Sequence, residues 1–337
     1  MNKLDQYWGR IVFFISIGVI GNIYFSWQAT DTDTLRELQN FSPIYLVLAL
    51  GLLLLMWIFN ATRLYIWGRF LKINAPFWSL FRISVATDLG SSITPTVVGG
   101  APIKVGMLTQ TGFRLGVATT MIALNGVEDV CFFLLIIPIS LTLTDSWNSP
   151  ILQDLYNGLQ QHLPTVAIYL LVGVIAVIFI RFLFQRFSFP FFKNRKFNFL
   201  QNIRSKVSQV TEDFKAVFKL IGQRGRLTFA LSVLATCGQW LSRFAILVVL
   251  VLALDIHENL LELFTLQWMV YLSMSLVPTP GATGGAEVIF YYVFKDLLPA
   301  SLIGIIVASW RFLTYYFMML LALLLLQMLG KSSAKVV

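Results

Sequence analysis

Seven ionisable side chains stand inside otherwise apolar sequence: Arg63, Lys104, Glu128, Asp129, Arg243, Glu287 and Arg311. A charge at the centre of a bilayer-spanning helix costs about 2.5–3.5 kcal/mol on insertion scales. Each must therefore face a protein interior or a wet cavity and find a partner there. The planar fork of Arg matches phosphate through paired hydrogen bonds. The chemistry these residues point to is the binding of a phosphate-bearing group by Arg63, Arg243, Arg311 and Lys104. Glu128, Asp129 and Glu287 are then pairing or coupling groups, and Glu128 or Asp129 either neutralises an Arg in the empty state or titrates with protons. The competing reading is a purely structural set of ion pairs that fixes helix register. No catalytic or metal constellation accompanies them. The histidines, His162 and His257, fall in predicted outer loops, and Cys131 and Cys237 lie in apolar runs without CxxC spacing. No catalytic residue, metal or cofactor is expected.

The elements that must position these groups follow from composition. Of 337 residues, 57% are hydrophobic and 12% charged, against about 25% charged in soluble domains. That excludes an ordinary soluble enzyme and a disordered chain. The apolar residues come in runs of about 20, the length that crosses a hydrocarbon core of about 30 Å. The expected fold is an all-α polytopic membrane protein forming a single transmembrane domain over 1–337. Its spans are expected at about 10–29, 43–67, 115–143, 165–185, 227–254 and 300–329. The net charge of +9 is explained by Lys and Arg collecting in inner loops, so no nucleic-acid partner is expected.

Loop charge orients the chain. The acidic segments 30–42, 144–164 and 255–262 are predicted outside. The basic segments 68–82 and 186–226 and the tail with Lys331 and Lys335 are predicted inside. This places the protein in the cytoplasmic membrane with both termini cytoplasmic. The linker 186–226, basic with interleaved Phe, reads either as an interfacial helix on anionic lipid or as an ordinary inner loop. Two more apolar stretches, 78–114 and 262–297, are broken by Pro and Gly. Parity requires each to enter and leave on one side, the first on the inner face and the second on the outer. Both are read as re-entrant helical hairpins of opposite orientation. Two short full spans apiece would also keep the parity, but need about 20 residues per crossing.

The two breaks repeat one another. Thr94-Pro95-Thr96-Val97-Val98-Gly99-Gly100-Ala101 and Thr279-Pro280-Gly281-Ala282-Thr283-Gly284-Gly285-Ala286 share the pattern T-P-x-x-x-G-G-A. Repeat one covers about 43–143 and repeat two about 227–329, the second inverted relative to the first. Inverted repeats with broken helices near the midplane are a transporter architecture. Pro95 and Pro280 stop one half-helix, and the Gly pairs allow a sharp turn. New half-helices are expected from Ala101-Pro102 and Ala286-Glu287. Their free N–H groups at Gly99, Gly100, Gly284 and Gly285 would face a cavity and suit an anion. The alternative is that these glycines serve only close helix packing.

The segment Gly99-Gly100-Ala101-Pro102-Ile103-Lys104 with Thr111-Gly112, and the segment Val277-Pro278-Thr279-Pro280-Gly281 through Gly284-Gly285-Ala286-Glu287, resemble the paired motifs of the lysylphosphatidylglycerol synthase transmembrane-region family. That family also forms the flippase half of the multiple peptide resistance factor. The resemblance implies a lipid flippase or lipid-handling domain, with a membrane lipid as substrate and a lipid-modifying transferase as a possible partner. The second motif departs from the family spacing at Thr283, and no soluble aminoacyltransferase domain follows, so synthase activity is not expected of this chain. The expected function is transport of an anionic or glycosylated, phosphate-bearing lipid head group across a bacterial inner membrane. The alternatives are a membrane-embedded lipid-modifying enzyme and a non-transporting partner of a separate aminoacyl- or glycosyltransferase. Oligomeric state is not legible.

Overall fold

The computed structural model describes residues 42–94, 99–148, 152–153, 156–157, 160–161, 215, 219, 221–257 and 260–333. The expected spans 10–29 and 165–185, most of the linker 186–226, and Pro95 lie outside these residues. All regular structure among the described residues is helical. Helix α1 spans Pro43–Phe70, α2 Phe77–Ile93, α3 Gly100–Gln110 and α4 Leu115–Leu143. Then come α5 (Arg226–Leu252), α6 (Leu260–Met274), a short turn of 3-10 helix at Pro280–Ala282, and α7 (Gly285–Phe294). The last crossing is built from α8 (Ile303–Arg311), a π-helical turn over Phe312–Phe317, and α9 (Met318–Ser333).

Length separates these helices into two kinds. Four are long and apolar enough to cross a membrane: Pro43–Phe70, Leu115–Leu143, Arg226–Leu252 and Ile303–Leu329. Their bounds fall within a few residues of the expected spans. By contrast α2 has 17 residues, α3 has 11, α6 has 15 and α7 has 10. At 1.5 Å per residue these reach about 15–26 Å, short of a core of about 30 Å. Each Pro/Gly-broken stretch is thus a pair of short helices packed on each other, with the second arm starting at Gly100 or Gly285, one residue earlier than expected. Local chemistry sets the ends. Pro43 occupies the first turn of α1, where its fixed φ suits a helix start. Gly112 closes the first hairpin at φ 97, a left-handed geometry that glycine adopts without strain.

The long helices α1 and α5 make the most extensive contact in the molecule. They approach closely where the Phe59 ring lies against Gly238, as small residues permit in membrane helix pairs. The remaining contacts fall into matching sets. Helix α2 lies on α1, α3 and α9, while α6 lies on α5, α7 and α4. The last helix of each half thus packs on the first hairpin arm of the other half. Trp57, Trp67, Trp310, Phe244, Phe290 and Phe294 fill the interior at 0–1% exposure. Outward faces carry Leu134, Leu227 and Leu234 at 68–73% exposure, the surface a hydrocarbon solvent calls for.

Candidate functional site

Three charged centres are assembled, each around one of the arginines picked out by sequence. The first is closed. Arg63 on α1 is 1% exposed and reaches across to α4, where its Nη2 lies 2.8 Å from Glu128 Oε2 and its Nη1 3.0 Å from Asp129 Oδ1. It also donates to Gln239 Oε1 on α5 (2.9 Å) and to the Asn125 carbonyl oxygen (2.8 Å). Glu128, 0% exposed, accepts in addition from Trp67 Nε1 at 2.6 Å and Asn125 Nδ2 at 3.2 Å. Lys104 on α3 donates to Asn125 Oδ1 at 2.6 Å. Two cations and two carboxylates, each hydrogen-bonded, tie α1, α3, α4 and α5 together. Satisfaction of every partner is the condition under which buried ions are tolerated.

The second centre is in the second hairpin. Arg311 Nε lies 2.8 Å from Glu287 Oε1, and Arg311 Nη2 donates to the Gly281 carbonyl oxygen at 2.9 Å. The other carboxylate oxygen of Glu287 accepts from Gly284 N at 2.7 Å. The α7 N-terminus, expected to present bare N–H groups, is thus capped by its own Glu287. The π-helical turn sets Tyr315 beneath the Arg311 guanidinium, 4.8 Å from ring centroid to Cζ. The Tyr315 hydroxyl donates to the Ser92 carbonyl oxygen at 2.9 Å, so one side chain links the two hairpins.

Gly281 makes that approach possible. Its φ is 59, and a Cβ there would sit 1.9 Å from the Tyr315 ring. Replacing Gly281 with Ala is expected to cost about 2–4 kcal/mol, from left-handed strain plus overpacking. A melting temperature of the purified protein unchanged from wild type would refute this geometry. The first hairpin's Gly pair is likewise filled by packing. A Cβ on Gly100 would meet Thr87 O at 2.4 Å, and one on Gly99 would overlap Thr94. A Cβ on Gly285 would meet Val277 at 2.7 Å.

The third centre is open. Arg243 on α5 lies over the rings of Trp240 and Tyr271, 5.5 Å from each centroid. Its Nε donates to Met56 Sδ at 3.1 Å. Its acidic partner is Asp88 on α2, at 3.5 Å, a residue that sequence reasoning missed. Asp88 Oδ2 also accepts from Trp57 Nε1 at 2.9 Å. The side chains of Arg243 and Asp88 are 24% and 19% exposed, against 2% for those of Arg63 and Arg311. The exposure is to a cavity of about 340 Å³ between the hairpins, whose wall also includes Arg311, Gly281 and Ser92. Trp310 and Tyr271, whose rings meet edge to face with centroids 6.2 Å apart, complete this wall.

Of the expected ligand-binding residues, Arg243 and Arg311 therefore meet at one cavity. Arg63, Lys104, Gly99, Gly100, Gly284 and Gly285 do not line it. Glu128 and Asp129 stand behind it, joined through Trp240, whose Nε1 donates to Asp129 Oδ1 at 3.1 Å. Pro280 begins the short 3-10 turn beside the cavity. His257 pairs with exposed Asp255, away from these centres. A signal for Asp88 was present in the sequence: an acid in an apolar arm, a few residues before the break, needs a partner as much as Glu128 does.

A model of the lysylphosphatidylglycerol synthase transmembrane region matches residues 11–322. The chain belongs to that family. A UPF0104 membrane protein of Archaeoglobus fulgidus is 26% identical over 312 residues, covering 90% of this chain and 91% of the relative. The family match takes in all three charged centres and both hairpins, and with the four long apolar helices it makes this a multi-pass membrane protein.

Proposed function

We propose that the protein is a lipid transporter of the flippase type, moving a phosphate-bearing head group through the central cavity while the acyl chains stay in the bilayer. The observation that carries this reading is the placement of Arg243 and Arg311, both from the second repeat, together with Asp88 from the first, on the wall of one cavity between the two hairpins. Its volume falls within the range of small-molecule sites, about 300–1,000 Å³.

The matching contacts of the two halves, with α9 on α2 and α4 on α6, support an inverted repeat over 43–143 and 227–329. The short arms support re-entrance from opposite faces, so that the two bends meet near the midplane. Loop charge supports a cytoplasmic-membrane setting with both termini inside. The Arg63 network is a fixed girder that holds the first hairpin, and a lipid-modifying transferase is a fitting supplier of substrate. Transport is the whole activity in this reading, with no bond made or broken.

Purified protein in liposomes containing a fluorescent phospholipid tests the reading. Lipid exchange between leaflets above that of protein-free vesicles, with or without a proton gradient, is the expected result. Exchange equal to empty vesicles under both conditions would overturn it.

A further inference from the structure

We infer that Asp88 is a charge filter, selecting head groups that carry one negative charge on a phosphodiester over phosphomonoesters that carry two. This rests on the cavity being the lipid site. Among the described residues lining it, the ionised groups are Asp88, Arg243 and Arg311. Arg311 is matched by Glu287 at 2.8 Å and Arg243 by Asp88 at 3.5 Å, so the empty cavity is neutral. The two pairs differ in what they leave available. Arg311 is spent on Glu287 and the Gly281 carbonyl oxygen. Arg243 stands beyond the 2.7–2.9 Å of a full charge-assisted bond and contacts a thioether sulfur instead.

A phosphodiester brings two non-bridging oxygens and one charge, which the Arg243 fork can take. Asp88 cannot withdraw in response, because Trp57 Nε1 holds its Oδ2 at 2.9 Å. The bound ligand must therefore tolerate a fixed carboxylate beside it. A monoanion meets one attraction and one repulsion. A dianion brings a second charge that no cation of this cavity is left to match. In a cavity only partly open to water that extra repulsion is screened less than in bulk solvent. The same placement explains why an acid is kept on the wall of an anion site: it sets an upper limit on charge.

Two lipids differing only by a methyl ester test this, dioleoylphosphatidylmethanol and dioleoylphosphatidate, with binding measured on the purified full-length protein in lipid nanodiscs. Near pH 8 the phosphomonoester is a dianion, its second pKa being about 6. The wild type is expected to bind the diester about tenfold more tightly. Asp88→Asn should bring the two affinities within about twofold, and Asp88→Glu should restore the gap. A measurement on the wild type alone gives an independent check. Lowering the pH to about 5 makes phosphatidate a monoanion and should close the gap, with the diester as control for effects on the protein.

An unchanged ratio in Asp88→Asn, or a gap that persists at low pH, would overturn the filter. If neither lipid binds above empty nanodiscs, or Arg243→Gln leaves both affinities intact, the cavity itself is misassigned. Tight binding of both lipids with a sensitive Arg243 would leave the site standing and remove the filter alone.

Discussion

Arg63→Met is expected to destabilise the protein by about 3–5 kcal/mol, the range found when one partner of a buried ion pair is removed. Methionine fills similar volume and suits the membrane interior, so lost packing is a minor part of this. The cost arises on α4. The cost falls mainly on Glu128, which is 0% exposed, because the Asp129 side chain, one residue on, is 31% exposed. Without the guanidinium, both carboxylates keep only indole and amide donors, from Trp67 and Asn125 for Glu128 and from Trp240 for Asp129. Lys104 bonds Asn125 and does not reach either acid directly. The triple variant Arg63→Met, Glu128→Gln, Asp129→Asn should recover most of the loss, because hydrophobic or neutral replacement of a whole buried ion set is often tolerated. Thermal and denaturant unfolding in detergent would read both. Stability of Arg63→Met within about 0.5 kcal/mol of wild type, the scatter of ordinary surface substitutions, would rule out this account of the network.

That result would also divide the arginines that the sequence treats alike. Arg63, Arg243 and Arg311 are each a lone cation in an apolar run, and the cost of burial requires a partner for all three. Which partner each takes depends on which helices are neighbours. Arg63 reaches Glu128 and Asp129 because α1 and α4 come together at that depth, and Gln239 because α5 lies against α1. Such distances are set by packing, and periodicity carries no trace of them. The span α4, in contrast, was legible at 115–143, since Arg114 and Thr144 bound one long run whose only charges are Glu128 and Asp129. The T-P-x-x-x-G-G-A pattern falls where described helices end and restart, between Ile93 and Gly100 and between Met274 and Gly285, because Pro and Gly readily end and turn a helix.

Other parts were hidden for physical reasons. Asp88 is hard to see in sequence because it stands on a short arm of a stretch broken by Pro and Gly, with no continuous apolar span around it to mark it as a buried charge. The Tyr315 link to Ser92 depends on the π-helical turn after Arg311, and one extra residue in a helical turn leaves no compositional mark. Such turns are often found at functional positions, and here the turn sets the tyrosine between the two hairpins. The role of the glycines also became clear only with neighbours in place. Gly99, Gly100 and Gly285 are pressed against their own hairpin, whereas Gly281 supplies a carbonyl oxygen to Arg311 and a gap for Tyr315.

Arg243→Gln should produce the opposite phenotype to Arg63→Met: function lost with stability kept. The pair with Asp88 is 3.5 Å long and partly open to the cavity, so its removal is expected to change unfolding by no more than about 1 kcal/mol, as for other solvent-screened pairs. Glutamine keeps a donor and covers the rings of Trp240 and Tyr271 in part. The phosphate, however, loses its forked cation. Truncating one side of a desolvated charge pair costs about 2–5 kcal/mol in binding, a loss of roughly thirtyfold or more in affinity at 1.4 kcal/mol per decade. Leaflet exchange in liposomes should fall toward that of empty vesicles, while the melting temperature and size-exclusion profile stay near wild type. Arg311→Gln cannot serve as the same test, because it also strands Glu287 at 5% exposure and loosens the turn at Gly281. The separation of the two effects is therefore specific to Arg243. Exchange that continues at the wild-type rate in a well-folded Arg243→Gln protein would mean that lipid takes another route and that the cation in the cavity has no part in it.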